Sequence, residues 1–160
     1  MLQSSTNGVS GLRAVAIDGA VKEAAGSTEK TRFGTYFPRV FACAYSLTGD
    51  EVAAKDIVSE AFSHVLAHSK ALGEEEFVVE LFSTARDLAR ASRATGSTSG
   101  NLTGREQELL AFVFDARLTH EQIRRLMRTT ERALSAGLLR ALRKLQSGMT
   151  PSAAASLRSA

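Results

Sequence analysis

The stretch LTHEQIRRLMRTTERALSAGLLRALRKL, residues 118–145, predicts a short helix, a tight turn and a longer second helix. Thr119 and Gln122 form a capping-box pattern, in which each side chain satisfies a backbone N–H at the helix start. Thr129 and Thr130 are candidate N-caps for the second helix. Apolar residues recur at helical spacing in both helices: Ile123, Leu126, Met127, Leu134, Leu138, Ala141, Leu142 and Leu145. This is the helix-turn-helix pattern, whose second helix usually lies in a DNA major groove.

The positive charge of the chain is concentrated in the same stretch. Residues 118–146 contain seven Lys and Arg against two Glu, a formal excess of +5, whereas the whole chain has a net charge of +3. The remaining residues are therefore slightly acidic. Lys and Arg release counterions from a nucleic-acid backbone, so this concentration favours a surface that faces phosphates. The alternative is that these arginines only solvate a helix surface.

Composition favours a soluble, cytoplasmic protein without a cofactor. Hydrophobic residues make up 44% of the 160 residues, which excludes wholesale disorder, and no apolar run approaches the ~18 residues of a membrane span. The single Cys43 cannot form an internal disulfide and is expected to be a small buried hydrophobe. His64 and His68 have a metal-ligand spacing, but Val65 stands where a metalloprotease motif needs Glu. We therefore expect no enzyme, no metal and no small-molecule substrate.

The chain divides by composition into five segments. We predict a disordered leader (residues 1–31), a three-helix domain (32–94), a Gly/Ser/Thr-rich flexible linker (95–102), a helix-turn-helix domain (103–146) and a disordered tail (147–160). Thr103 and Glu106 form a second capping box, which opens a helix ahead of the helix-turn-helix. The predicted fold is all-α, with two small helical domains joined by the linker.

Three amphipathic helices are predicted in the first domain. The first has its apolar side at Phe33, Tyr36, Phe37, Val40, Phe41, Ala44, Tyr45 and Leu47, with Pro38 in its first turn or at a kink. Gly49 ends it and Asp50 caps the next helix. That second helix has Ala54, Ile57, Val58, Ala61, Phe62, Val65 and Leu66 inward, and the third has Phe77, Leu81, Ala85 and Leu88. Short connections make these helices a compact bundle.

Three motifs in this order resemble the extracytoplasmic-function (ECF) group of bacterial sigma factors. The run LTGDEVAAKDIVSEAF, residues 47–62, is similar to the family's L-T-G-D-x-x-x-A-E-D-L-V-Q-E-x-F at Gly49, Asp50, Ala54, Asp56, Val58, Glu60 and Phe62. The run FVVELFSTARDLARASR, residues 77–93, resembles the segment F-x-x-W-L-x-x-I-A-R-N at Phe77, Leu81, Ala85 and Arg86. The stretch quoted first resembles the family's helix-turn-helix at Leu118, Ile123, Leu138, Arg140, Ala141 and Leu145.

The resemblance implies two partners, core RNA polymerase and promoter DNA. In the family the second helix docks on the β′ clamp helices of the polymerase, which also binds the factor through its β subunit. The corresponding exposed residues here are Asp56, Ser59, Glu60 and Ser63. The expected DNA-binding residues are Arg124, Arg128, Thr130, Arg132, Ser135, Leu139, Arg140 and Arg143. An anti-sigma factor is a further partner of such proteins, and no membrane partner is implied.

The residues that would touch DNA depart from the family pattern. The recognition helix of the family opens with T-V-K-S-R, and the same positions, 133–137, read ALSAG. A helical wheel anchored on Leu134 places Arg132, Ala136, Leu139 and Arg143 near the exposed centre. Glu80 replaces a tryptophan and Asp87 an asparagine that helps to hold the promoter strand. These departures leave a second hypothesis open: a degenerate sigma-like protein that acts as an anti-sigma decoy or polymerase-bound modulator without reading promoters.

Overall fold

The computed structural model describes residues 10–68, 71–93 and 101–149, and every regular element in these ranges is helical. The all-α prediction is therefore confirmed. The elements are α1 (Ser10–Thr48), α2 (Glu51–His68), α3 (Glu74–Arg93), α4 (Gly104–Leu110), a π-helical turn (Ala111–Asp115), α5 (His120–Met127) and α6 (Glu131–Met149). Their packing divides the chain into two compact units, Met1–Tyr36 and Phe37–Ala160.

The first unit contains the beginning of α1. Residues 10–31 of the predicted disordered leader belong to this helix, whereas residues 1–9 lie outside the described residues. The segment is rich in alanine, the residue with the highest helix propensity, so its weak apolar pattern understates its tendency to be helical. Pro38 lies inside α1 and not in its first turn, because the helix begins well before the predicted start.

In the second unit, residues 37–48 of α1 belong to a helical bundle with α3, along which α2 also packs. The Arg93 guanidinium of α3 donates to the Leu47 carbonyl, and the Arg39 guanidinium lies 5.9 Å from the centroid of the Phe82 ring. Gly49 has a φ of +70°, the left-handed conformation expected after a helix end, and Asp50 Oδ1 accepts the Val52 N–H at 2.8 Å as the α2 cap. Both predicted helix signals are confirmed. The bundle core contains Val40, Cys43, Leu47, Ile57, Val58, Phe62, Val65, Phe77, Leu81 and Phe82.

The predicted apolar side of α1 is only partly buried. Phe37 and Tyr45 are 37% and 48% exposed, and the rings of Phe37, Phe41 and Tyr45 stack along the helix with centroids 6.2 and 6.3 Å apart. The prediction that these rings point inward is wrong for Phe37 and Tyr45. Eight apolar positions make a face wider than two neighbouring helices cover, so the outer aromatic residues pack on one another.

The remaining helices complete the second unit. Thr103 with Glu106, and Thr119 with Gln122, form the two predicted capping boxes. The side chains buried between α4, the π-helical turn, α5 and α6 include Leu109, Phe112, Ile123, Leu126, Leu134 and Ala141. Leu142 and Leu145, which belong to the apolar repeat of α6, are 38% and 40% exposed. Helix α6, with 19 residues, is longer than α4, with 7, and α5, with 8, so these helices do not cover its last turns.

Helices on both sides of residues 94–100 pack together. The Arg90 guanidinium donates to both carboxylate oxygens of Glu108, with Nη2 2.8 Å from Oε2, and so joins α3 to α4. Arg86 Nη1 donates to the Leu126 carbonyl at 3.0 Å and joins α3 to α5. A bidentate arginine–carboxylate pair fixes distance and orientation together, so α3 holds α4 in one geometry.

Two further contacts reinforce this packing. Gln122 Nε2 lies 3.2 Å from each carboxylate oxygen of Glu75, and Arg39 Nε donates to the Ala116 carbonyl at 2.7 Å. The unit boundary thus lies within α1 and does not coincide with the predicted boundary at residues 95–102, most of which lie outside the described residues. The predicted tail, 147–160, is helical to Met149 and beyond that is also outside them. None of the described helices combines the length and apolar character that a bilayer crossing requires.

Candidate nucleic-acid interface

Helices α5 and α6 are joined by residues 128–130, so the two helices and the short turn of the predicted pattern are present. Arg128 adopts a left-handed conformation, with φ at 49°, and ends α5 as a glycine would. Thr130 Oγ1 accepts the Ala133 N–H at 3.3 Å at the start of α6, so the second of the two candidate caps is used. The turn is therefore as short as the sequence predicts, although a large side chain stands where glycine is less strained.

One side of α6 is an exposed basic surface. Arg132, Arg140 and Arg143 are exposed, and none of the three has a carboxylate partner within the residues that the structure describes. We call these three residues the arginine face. Ala136 and Leu139 are also exposed, Leu139 by 55%, which confirms the predicted exposed centre of the helix. Unpaired guanidinium groups on a rigid helix can each donate several hydrogen bonds to phosphate oxygens or to guanine edges.

Three of the other predicted DNA-binding residues lie near the turn between the helices, and the fourth lies on α6. Arg128 and Thr130 are exposed, and Ser135 is half-buried beside the arginine face. Arg124 is different, because its Nη1 donates to Glu121 at 2.8 Å and its Nε lies 4.0 Å from Glu131. Its charge is thus opposed by two carboxylates, and it links α5 to α6 at their junction.

Gly137 faces α4 and not the exposed side of α6. A Cβ atom at this position would lie 2.7 Å from Leu109 Cδ1, closer than carbon atoms pack. The absence of a side chain therefore lets α4 and α6 approach each other. Gly137 is therefore explained by the packing of α6 against α4. It does not lie on the arginine face, so its lack of a side chain does not change that surface.

A cleft of about 200 Å³ lies between α4 and α6, beside the arginine face. Its polar lining includes Arg105, which sequence reasoning missed, together with Arg140 and Thr129. A single arginine in the short α4 gave no periodic signal. Glu106, at the wall, accepts hydrogen bonds from Lys144 Nζ at 2.7 Å and the Thr103 N–H at 2.8 Å, and these donors lower its pKa to about 2. Its carboxylate is ionised and already neutralised by Lys144.

The four residues predicted to bind polymerase lie together on α2. All four are exposed and recur along one side of this helix: Asp56, Ser59, Glu60 and Ser63. Val52, 67% exposed, extends the same side toward the helix start. A rigid helix that presents carboxylates, hydroxyls and one apolar side chain can dock on a partner helix without refolding.

Glu60 also lies at the edge of a groove between α2 and α3. This groove, about 450 Å³ in volume, is lined by Glu60, His64, Glu80, Ser83, Thr84, Asp87 and Leu88, and we call it the acidic groove. The acidic groove contains three carboxylates, and Arg86 partly neutralises that of Asp87, from which it lies 3.3 Å. Negative charge repels a phosphate backbone, so this surface does not suit a nucleic-acid strand.

No metal centre is evident in the described part of the chain. No group of three or more His, Cys, Asp or Glu side chains there could hold a metal ion. The His64 and His68 rings stack 4.6 Å apart, and His68 Nδ1 lies 2.7 Å from the His64 carbonyl. One ring nitrogen of His68 is thus occupied by the helix backbone. Burial raises the pKa of the Cys43 thiol to about 12, so it is a core residue with no thiolate character at neutral pH.

Comparisons with protein-family models, with curated proteins and with solved structures found no match to this chain. The functional interpretation therefore depends on the residues and geometry above.

Proposed function

We propose that this protein is a divergent ECF-type sigma factor, which binds core RNA polymerase and directs transcription initiation at specific promoters. The observation that carries the proposal is the arginine face, three exposed and unpaired arginines on the second helix of a capped helix-turn-helix. Helix α6 enters the major groove in this proposal, and its arginines contact phosphates and guanine edges. A bidentate arginine–guanine contact contributes about 1–3 kcal/mol of discrimination against a wrong base.

Two helical regions divide the work in this proposal. Residues 32–94 form the region that binds polymerase, residues 103–146 form the region that binds DNA, and residues 95–102 connect them. The exposed polar side of α2 docks on the β′ clamp helices. Two observations support this docking: the resemblance of residues 47–62 to the sigma-factor motif, and the exposure of four polar residues on α2, which are Asp56, Ser59, Glu60 and Ser63.

The direct test is gel filtration of the full-length protein with purified bacterial core RNA polymerase, followed by transcription from a promoter library. We expect co-elution and transcripts from a small set of promoters. Glu60→Lys reverses a charge on the docking side of α2 and should weaken co-elution. Lys55→Gln is the control, because Lys55 is exposed on the same helix and, among the residues that the structure describes, its ion pair is with Glu51, at 2.6 Å. Absence of co-elution, together with absence of any transcript, would refute the proposal.

A second function is favoured by the acidic groove. Glu80 and Asp87 oppose the binding of an opened promoter strand, as expected for a sigma-like protein that acts as an anti-sigma decoy or polymerase-bound modulator. Such a protein would bind polymerase or an anti-sigma factor and would give no sequence-specific footprint. A promoter footprint that depends on Arg143 would reject this second function.

A further inference from the structure

The cleft between α4 and α6 combines two cationic side chains, two hydroxyl groups and a small apolar wall. Arg105 and Arg140 stand at its rim, Thr103 and Thr129 contribute the hydroxyls, and Leu109, Ala133, Leu134 and Gly137 line the rest. Arg105 Nη2 lies 3.4 Å from Thr129 Oγ1, which directs the guanidinium toward the cleft. Two guanidinium groups and a hydroxyl that line one small cleft are a donor set for a phosphate group.

The charges in this cleft remain available to a ligand. Over the described ranges neither Arg105 nor Arg140 forms an ion pair, and the nearest carboxylate in the lining, Glu106, is engaged by Lys144 at 2.7 Å. The net charge of the lining and of Lys144 is therefore positive. An anion can enter without displacing an existing ion pair.

The cleft adjoins the surface proposed to bind DNA. At 100° per residue, Arg140 lies about 60° around α6 from Arg143, so it belongs to both the cleft wall and the arginine face. A duplex whose major groove receives α6 has its phosphates along the flanks of that helix. The flank that carries Arg140 is the one that leads to Arg105.

We propose that the cleft holds one backbone phosphate of the duplex contacted by α6, with Arg105 and Arg140 as its two cationic ligands and Thr129 as a hydroxyl donor. This inference rests on the proposed function, because it requires α6 to bind duplex DNA. The residues that line the cleft include no aromatic side chain on which a base could stack. The cleft volume, about 200 Å³, is also too small for a whole nucleotide with its base and sugar. The chemistry therefore suits a phosphate that belongs to a polymer outside the cleft.

The test measures binding of the full-length protein to a duplex about three helical turns long, by fluorescence anisotropy over a range of salt concentrations. Each neutralised phosphate contributes a slope of about −0.9 to the dependence of log K on log salt, so its loss costs roughly eightfold in affinity near 0.1 M salt. Arg105→Gln should weaken binding by up to this factor and reduce the slope by at most one contact, because Arg140 still faces the same phosphate. Arg105→Lys keeps the charge and should keep the slope.

Two variants separate this inference from the proposed function. Arg143→Gln tests α6 itself, and Lys55→Gln removes one positive charge on α2, away from the cleft. If Arg143→Gln weakens binding while Arg105→Gln behaves as Lys55→Gln does, the phosphate site is refuted and DNA binding by α6 stands. If the unmodified protein does not bind the duplex, the DNA-binding part of the proposed function fails, and the phosphate site fails with it.

A titration with inorganic phosphate, followed by NMR of the arginine side-chain N–H groups, distinguishes the source of the anion. We expect only weak perturbation of Arg105, and a much larger one with the duplex. Equal saturation by free phosphate would identify a site for the free anion and overturn the assignment to DNA. The Arg105 side chain is exposed, and its hydrogen bond to Thr129 is long, at 3.4 Å, so far-UV circular dichroism should show that Arg105→Gln is folded.

Discussion

The Arg90–Glu108 pair predicts an unequal response to the loss of either partner. The side chain of Glu108 is 3% exposed, whereas that of Arg90 is 51% exposed. Arg90→Met keeps much of the aliphatic stem but leaves a buried carboxylate without its bidentate partner. Breaking a buried pair costs about 3–5 kcal/mol when both charges are desolvated, and access of water through the half-exposed side reduces the cost here to about 2–3 kcal/mol.

Glu108→Gln should cost less, about 1 kcal/mol. The amide has nearly the volume of the carboxylate and still accepts a hydrogen bond, while the Arg90 guanidinium remains in contact with water. For a chain of this size each kcal/mol corresponds to about 2–4 °C in Tm. We therefore expect Tm to fall by roughly 4–12 °C for Arg90→Met and by roughly 2–4 °C for Glu108→Gln.

Urea and thermal denaturation followed by far-UV circular dichroism measure both variants, and Lys55→Gln serves as an exposed charge-removal control. The Arg90→Met/Glu108→Gln double variant should be close to Glu108→Gln alone, since the buried charge is then absent. A larger loss for Glu108→Gln than for Arg90→Met would refute the reasoning. Two separate transitions in Arg90→Met would show that this pair is what couples α3 to α4.

Three other predictions follow from single side chains. Gly137→Ala places a methyl group 2.7 Å from the terminal Cδ1 atom of Leu109, whose side chain must turn aside, so this substitution should stabilise the protein less than Gly148→Ala, which lies in open space on the same helix. Gly148→Ala can gain up to about 1 kcal/mol from helix propensity, and urea denaturation measures both variants. The pKa of Glu106 is about 2 in the folded state, below its unfolded value near 4.5. The ionised carboxylate therefore contributes to stability above pH 4.5, and this contribution is lost as the pH falls toward 2. Tm measured as a function of pH should show a smaller acid loss in Glu106→Gln than in the unmodified protein. Cys43, buried and with its pKa raised to about 12, should resist alkylation in the native protein at mildly alkaline pH and react fully in urea; rapid native labelling would contradict the core placement.

Local signals in the sequence were reliable wherever the physical cause is itself local. The two capping boxes, the Gly49 helix end, the Asp50 cap and the short turn before Thr130 depend on residues within four positions of each other. The exposed centre of α6 follows from helical periodicity alone. These features define the helices and most of the arginine face.

Features that depend on distant packing could not be predicted in the same way. A stripe of apolar residues does not show how much of it a neighbouring helix covers, and Phe37, Tyr45 and Leu142 are exposed although they belong to such stripes. The proximity of Gly137 to Leu109 joins residues 28 positions apart, and the sequence shows only that Gly137 departs from the family pattern. Arg105 belongs to the cleft only because α4 and α6 are close.

The acidic groove and the arginine face give the second unit an electric dipole. Its negative pole contains Glu60, Glu80 and Asp87, and its positive pole lies on α6. In the field of a polyanion such a molecule experiences a torque as well as an attraction, so encounters that present the wrong side are turned before contact. Raising ionic strength should therefore slow productive collision more steeply than the modest net charge of +3 would suggest.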